Sequence, residues 1–332
     1  MKKVLALLFI MVLTVSLSSC ANSSRDAASV KADTENETEE QSMAEYYTTN
    51  TKIVDVINDP VFGDYGRLIF PVDSGYYGGS TLGNLSLTWY NYIDPDKTVE
   101  ICNYMRAHAE HGETFLYDIY TEEEKAADPE KKDTGLFLFK GNPGAKFAIV
   151  NAGGGFAYVG AMHDSFPHAL ELSKMGYNAF ALIYRPGAQT ACEDLSRAIA
   201  FIFEHADELQ VDTDGYSLWG GSAGGRMADW VGTYGTENFG EKAYPHPVAV
   251  IVNYTGLSEV TGYEPPTYSA VGTSDGIANW RTMKSRLVAM SEMDIPTEFQ
   301  SYKGLPHGFG LGTGTVAEGW IDDAVAFWEN QI

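Results

Sequence analysis

Three short stretches of this chain hold residue types that can do nucleophilic chemistry at a useful spacing. The sharpest is Gly220-Gly221-Ser222-Ala223-Gly224, a G-x-S-x-G pattern followed by Gly225. It lies between a strand-like run, Gly215 to Trp219, and a helix-like run, Arg226 to Val231. A serine is presented as an exposed nucleophile on a very tight strand-to-helix turn. That turn strains the serine backbone and leaves no room for side chains two residues away on either side. Gly220 and Gly224 meet that demand, and Gly221, Ala223 and Gly225 keep the flanks small.

A second match, Gly272-Thr273-Ser274-Asp275-Gly276, follows the apolar run Tyr268 to Val271. With Ser274 as nucleophile, an acid and a histidine would have to fit into the 33 residues ending at His307. With Ser222 as nucleophile, Asp275 comes 53 residues later and His307 another 32 beyond it. The chain order is then nucleophile, acid, histidine, with room between them for strand–helix–strand units. The second match therefore reads as the turn that bears the acid. His307 sits in a Gly/Pro loop, Leu305-Pro306-His307-Gly308-Phe309, after the last strand-like run. Among the other histidines, His205 ends an amphipathic segment, His246 lies between prolines, and His163 and His168 flank a helix. Each of these reads as structural or solvated.

The third stretch is Asn151-Ala152-Gly153-Gly154-Gly155-Phe156, directly after the apolar run Lys146 to Val150. Consecutive glycines let the backbone turn and bring N–H groups close to a substrate, as stabilising a developing oxyanion requires. A dinucleotide loop is excluded because the G-x-G-x-x-G register would need glycine where Tyr158 stands, and no G-x-x-x-x-G-K-[ST] phosphate loop occurs.

On these motifs the chain resembles the α/β-hydrolase esterases, particularly the hormone-sensitive-lipase-like and the bacterial feruloyl and acetyl carbohydrate esterase groups. The resemblance runs from about Leu136 to the C-terminus. It implies that Ser222, Asp275 and His307 form a catalytic triad. It also implies that Gly154 and Gly155, with Ala223 after the nucleophile, supply the oxyanion N–H groups. The chain departs from the H-G-G-G form of the loop, since Ala152 stands where those families carry histidine.

The two ends of the chain differ in kind. Met1-Lys2-Lys3 is followed by an apolar run, Val4 to Leu13, and then by Leu17-Ser18-Ser19-Cys20. A basic start and an apolar stretch too short for a membrane span are the pattern of an export signal over 1–19. The L-S-S-C junction resembles a bacterial lipobox, which makes Cys20 the lipid-bearing first residue of an exported, membrane-anchored lipoprotein. Residues 20–45 are acidic and polar, with Arg25 and Lys31 against seven carboxylates, and read as a solvated tether. The whole chain has 22 basic and 45 acidic residues, a net charge of −23; removal of 1–19 takes Lys2 and Lys3 and no acid, leaving −25. That sign disfavours nucleic acid as a partner. The remaining cysteines, Cys102 and Cys192, have no framework spacing and are expected to be reduced or packed. His108 and His111 read as a solvated helix face, and no metal is expected there.

From Leu136 onward short apolar runs alternate with helical patterns, the signature of a mostly parallel sheet covered by helices. Strands are predicted at 136–139, 147–151, 178–184, 216–219, 249–254, 268–272 and 297–302. Helices are predicted at 166–175, 192–206, 222–233, 277–293 and 315–329. Residues 135–332 thus form the catalytic core. Residues 46–134 form an N-terminal extension containing a first strand near Phe115–Tyr120, a charged loop at Glu122–Asp133 and a helix from Asp96 to His111. Its aromatics (Tyr76, Tyr77, Trp89, Tyr90 and Tyr92) either cap and floor the cleft, or make the core of a small N-terminal layer.

The chemistry expected is cofactor-free acyl transfer: hydrolysis of a small-molecule or carbohydrate ester through an acyl-enzyme. Two other readings remain open from sequence. One is a serine peptidase on the same fold, and the other is a surface binding protein without catalysis.

Overall fold

The computed structural model describes residues 47–332. The export signal 1–19, the tether 20–45 and the lipidation site Cys20 lie outside the described residues.

An eight-stranded sheet organises everything that follows. Its strands are β1 (Leu116–Tyr117), β2 (Gly135–Phe139), β3 (Lys146–Asn151), β4 (Asn178–Ile183), β5 (Asp212–Gly221), β6 (Ala249–Asn253), β7 (Thr267–Gly272) and β8 (Thr297–Tyr302). They lie side by side in the order β1-β2-β4-β3-β5-β6-β7-β8. β1 and β2 run antiparallel to their neighbours, and every other pairing is parallel. β4, β6 and β7 are buried along their whole length, which is why they read as continuous apolar runs rather than alternating ones. β8, at the edge, is only half-buried and carries Glu298, Gln300 and Ser301.

Six longer helices accompany the sheet: α1 (Pro95–Glu110), α2 (Phe166–Lys174), α3 (Ala188–Glu204), α4 (Ser222–Tyr234), α5 (Trp280–Ser291) and α6 (Trp320–Glu329). α2 packs on β4, α4 on β5 and β6, and α5 on β7 and β8. α1 starts where sequence says it should. Pro95 occupies its first turn, and the Asp94 carboxylate accepts the N–H groups of Asp96 and Lys97 at 3.0 and 3.1 Å. Cys102 on α1 and Cys192 on α3 are free, buried thiols.

Several element boundaries differ from the sequence expectation, each for a local reason. The segment Glu122–Asp133 is not a loop: it forms a short helix, Glu122–Ala127, and a 3-10 turn, Pro129–Asp133. Thr121 and Glu124 make a reciprocal capping box at its start, a T-x-x-E signal masked by the density of charge. α5 begins at Trp280 rather than Ile277, because the Asp275 carboxylate holds the N–H groups of Ile277 and Ala278 and Asn279 then caps the helix. α6 begins at Trp320 rather than Thr315, since Gly312, Gly314 and Gly319 all adopt positive φ and keep the approach in turns. Of the Phe115–Tyr120 run, Leu116 and Tyr117 form the strand beside β2, and the Phe115 carbonyl accepts the Leu138 N–H at 2.7 Å.

The register places the future site. Asn151 at the end of β3 lies opposite Gly220 of β5, and Gly221 lies opposite Asn253 of β6. The chain leaving β3 goes to β4 on one side while β5 pairs on the other, so a crevice opens at the carboxyl ends where strand order reverses. The glycine loop, the serine turn and the turns after β7 and β8 all leave from that same edge.

Candidate active site

Ser222 begins α4 directly at the end of β5, and its backbone is left-handed, with φ of +51°. A non-glycine residue there costs about 1–3 kcal/mol and persists only when its surroundings impose it. The surroundings do. A Cβ on Gly224 would lie 2.0 Å from the Asn151 carbonyl oxygen, and one on Gly220 would lie 2.4 Å from the Gly224 carbonyl carbon. The turn is thus locked between β3 and its own first helical residues.

Asp275 and His307 arrive from the turns after β7 and β8. The Ser222 hydroxyl lies 3.0 Å from His307 Nε2, placed to donate to it. On the other side of the ring, His307 Nδ1 and Asp275 Oδ2 are 2.8 Å apart. The second oxygen of Asp275 accepts the N–H groups of Ile277 and Ala278, both at 2.7 Å, so the carboxylate is aimed by its own turn. Its side chain is fully buried and that of His307 nearly so. Tyr254, which follows β6, meets the imidazole edge-to-face at 5.0 Å and fixes its plane.

The glycine loop divides its three N–H groups between structure and substrate. Gly153 donates to the buried Asp164 carboxylate at 2.8 Å. Gly154 and Gly155 have φ of +134° and +64°, and among the described residues their N–H groups have no acceptor. Ala223, in the first turn of α4, carries a backbone N–H of the kind a helix start leaves without an intrahelical partner. Trp89, Tyr90, Gly154, Gly155, Ser222, Ile277 and His307 line a cavity of about 310 Å³ around these groups. A larger hollow of about 730 Å³, between Tyr47–Thr49, α1 and α2, contains none of them.

The fold has counterparts among solved structures. The BD-FAE family model matches residues 140–291. An acetyl ester-xyloside bifunctional hydrolase from Caldicellulosiruptor lactoaceticus superposes with a TM-score of 0.57 at 20% identity, covering 65% of this chain and 95% of that one. Esterase 2 of the planctomycete Thermogutta terrifontis, with propionate bound, gives 0.55 at 19% identity, covering 65% and 93%. MGS-M1, an α/β hydrolase from a Medee basin deep-sea metagenome library, gives 0.51 at 20% identity, covering 60% and 92%. The fold is that of an α/β-hydrolase. No curated protein sequence matches the chain.

Within this fold, Ser222, Asp275 and His307 lie in one hydrogen-bonded line, Gly154 and Gly155 line the same cavity as Ser222 and His307, and Ala223 follows Ser222 in the chain. Ser274 stays outside that line: its N–H is held by the Leu305 carbonyl at 3.0 Å. The other histidines are engaged elsewhere. His163 contacts the Gly308 carbonyl, His205 that of Phe201 and His246 that of Gly232. His168, on α2, is buried with its ring 5.4 Å from that of Trp320. His108 bonds the Tyr104 carbonyl and lies against the Tyr104 ring at 4.0 Å.

Sequence reasoning passed over Asp164 and left the N-terminal aromatics undecided. Asp164 is buried and accepts from Gly153, Tyr90 and Tyr254. It sits four residues past Gly160 in a stretch with no recognisable pattern, and only its three-dimensional neighbours reveal it. Tyr76 stacks on Tyr158 of the core at 4.8 Å and lies 5.6 Å from the Trp89 ring, and Trp89, 43% exposed, forms one wall of the cavity.

Proposed function

We propose that the protein is a serine-dependent carboxylic-ester hydrolase acting through an acyl-enzyme. The observation that carries this reading is the Ser222–His307–Asp275 line opening into a cavity that also holds two N–H groups with no acceptor among the described residues. In the reaction, His307 Nε2 takes the Ser222 proton as Oγ attacks the ester carbonyl carbon. Asp275 accepts the Nδ1–H bond and stabilises the imidazolium. The carbonyl oxygen becomes an oxyanion held by the N–H groups of Gly154, Gly155 and Ala223, each well-placed donor contributing about 3–4 kcal/mol. Collapse expels the alcohol, which receives the proton from His307. Water then repeats the sequence on the acyl-serine.

The substrate class proposed is a small acyl ester, with a carbohydrate as the alcohol. A cavity of about 310 Å³ suits a short acyl chain, and the exposed Trp89 ring beside it offers an apolar face of the kind that stacks on a sugar. One structural neighbour is described as an acetyl ester-xyloside hydrolase, and Thermogutta terrifontis esterase 2 as phosphorylated by paraoxon.

Labelling by a fluorophosphonate at Ser222, together with turnover of p-nitrophenyl acetate but not of an aminoacyl p-nitroanilide, is the expected result. Turnover of the anilide alone would replace esterase by peptidase, and absence of both labelling and turnover would leave a binding protein. Acetate release from acetylated xylan tests the carbohydrate part.

We propose further that the enzyme is exported and held at the membrane by lipid on Cys20. The basic start, the apolar run and the L-S-S-C junction support this. Wild-type protein should partition into the detergent phase and take up labelled palmitate, and Cys20→Ser should do neither. A wild-type protein found wholly in the aqueous phase would overturn the anchor.

A further inference from the structure

Tyr90 comes from the N-terminal extension, about 50 residues before the region that the family model matches. Its ring is wedged where three glycines leave space. A Cβ on Gly160 would lie 2.7 Å from Tyr90 Cε2, one on Gly308 2.7 Å from Cδ1, and one on Gly153 2.5 Å from the hydroxyl. Gly153 and Gly160 bound the oxyanion loop, and Gly308 follows the catalytic His307. The Tyr90 hydroxyl donates to Asp164 Oδ2 at 2.9 Å, the same oxygen that accepts the Gly153 N–H at 2.8 Å. The next residue grips the histidine loop: the Asn91 N–H donates to the Gly308 carbonyl at 3.2 Å, and its side-chain amide to the His307 carbonyl at 3.1 Å.

We propose that Tyr90 is a positioning residue which, acting through Asp164 and with Asn91, sets the oxyanion loop and the histidine loop in register with each other. The chain lacks a histidine before its three glycines; Ala152 stands there, its carbonyl held by the Tyr184 hydroxyl at 2.6 Å. The Asp164 carboxylate supplies the tie to Gly153, and Tyr90 sets the direction of the oxygen that makes it. Gly154 and Gly155 follow that anchored residue immediately, so a shift at Gly153 moves the donors that meet the oxyanion. A displacement of about 1 Å in such a group costs on the order of a hundredfold in rate.

The proposal rests on the ester-hydrolase reading for its kinetic arm, and a second arm is independent of it. Tyr90→Phe keeps the wedge and removes only the hydroxyl, so Asp164 Oδ2 loses one of its two donors and the carboxylate is left to Gly153 and Tyr254. On p-nitrophenyl acetate we expect kcat to fall about tenfold with KM changed less than twofold, because the lost alignment is felt by the oxyanion. Asp164→Asn offers one carbonyl oxygen where the carboxylate has two, and about a hundredfold loss in kcat is expected if it folds. The second arm is amide hydrogen exchange over 152–160, which should accelerate in Tyr90→Phe at an unchanged melting temperature. Should the wild-type protein turn over no ester, the hydrolase reading fails while exchange still decides the positioning role. Unchanged kcat with unchanged exchange in Tyr90→Phe would overturn the proposal. So would a loss that appears only in KM or only in the melting temperature.

Discussion

The chain writes G-x-S-x-G twice, and the two turns have opposite physical characters. Around Ser222 every neighbouring glycine is compelled: Cβ atoms on Gly220, Gly221, Gly224 and Gly225 would each come within 2.6 Å of another atom. Around Ser274 the compulsion is one-sided. Gly272 abuts the Leu305 carbonyl, where a Cβ would lie 2.1 Å from the oxygen, but Gly276 faces open space. Ser222 is left-handed at φ +51°, while Ser274 is absent from the positive-φ residues and hydrogen-bonds like an ordinary turn residue. A five-letter pattern therefore describes two different objects. The first is a strained pedestal for a nucleophile, and the second is a hinge that turns a carboxylate inward.

The largest expected effect separates the two serines. Ser222→Ala should fold and lose about a million-fold in kcat, measured against p-nitrophenyl acetate. Next comes the residue that gives the second turn its role. Asp275→Asn should cost about ten-thousand-fold in kcat with the fold intact by circular dichroism, since the amide favours the wrong imidazole tautomer. The glycines then test the packing difference directly. Gly224→Ala should destabilise by about 3 kcal/mol in denaturant unfolding, because its Cβ meets backbone that cannot move aside, whereas Gly276→Ala should change stability by less than about 0.5 kcal/mol. The smallest effect belongs to the second serine: Ser274→Ala should keep turnover within about twofold, the scale of a substitution that touches no special feature. Equal losses at Ser222 and Ser274 would break the comparison altogether.

The core was legible because fully buried strands read as continuous apolar runs and amphipathic helices write a plain period. The runs ending at Asn151, Trp219, Gly272 and Tyr302 placed the sheet, and their C-terminal residues placed the loops. The serine turn was legible for a different reason: steric demand on Gly220 and Gly224 leaves few residue choices. In the extension, α1 and the short strand Leu116–Tyr117 were legible, and the rest was not. Its aromatics, short turns and two-residue strands at Tyr77–Gly78 and Ser86–Leu87 have no period to read. The partners of Tyr90 lie 63 to 218 residues away in sequence, at Gly153, Asp164 and Gly308. Thr121–Ala127 was missed for the reverse reason, a local capping signal set in so much charge that it resembled a solvated loop.

The two buried cysteines give the folded chain a built-in clock for its own opening. Desolvation raises the Cys192 thiol to about 12 and the Cys102 thiol still further, so almost no thiolate exists at neutral pH while either helix is packed. An alkylating reagent can then reach them only when α1 or α3 detaches. Because Cys102 lies in the extension and Cys192 in the core, the ratio of their alkylation rates, read peptide by peptide, reports whether the two parts come apart together or one after the other.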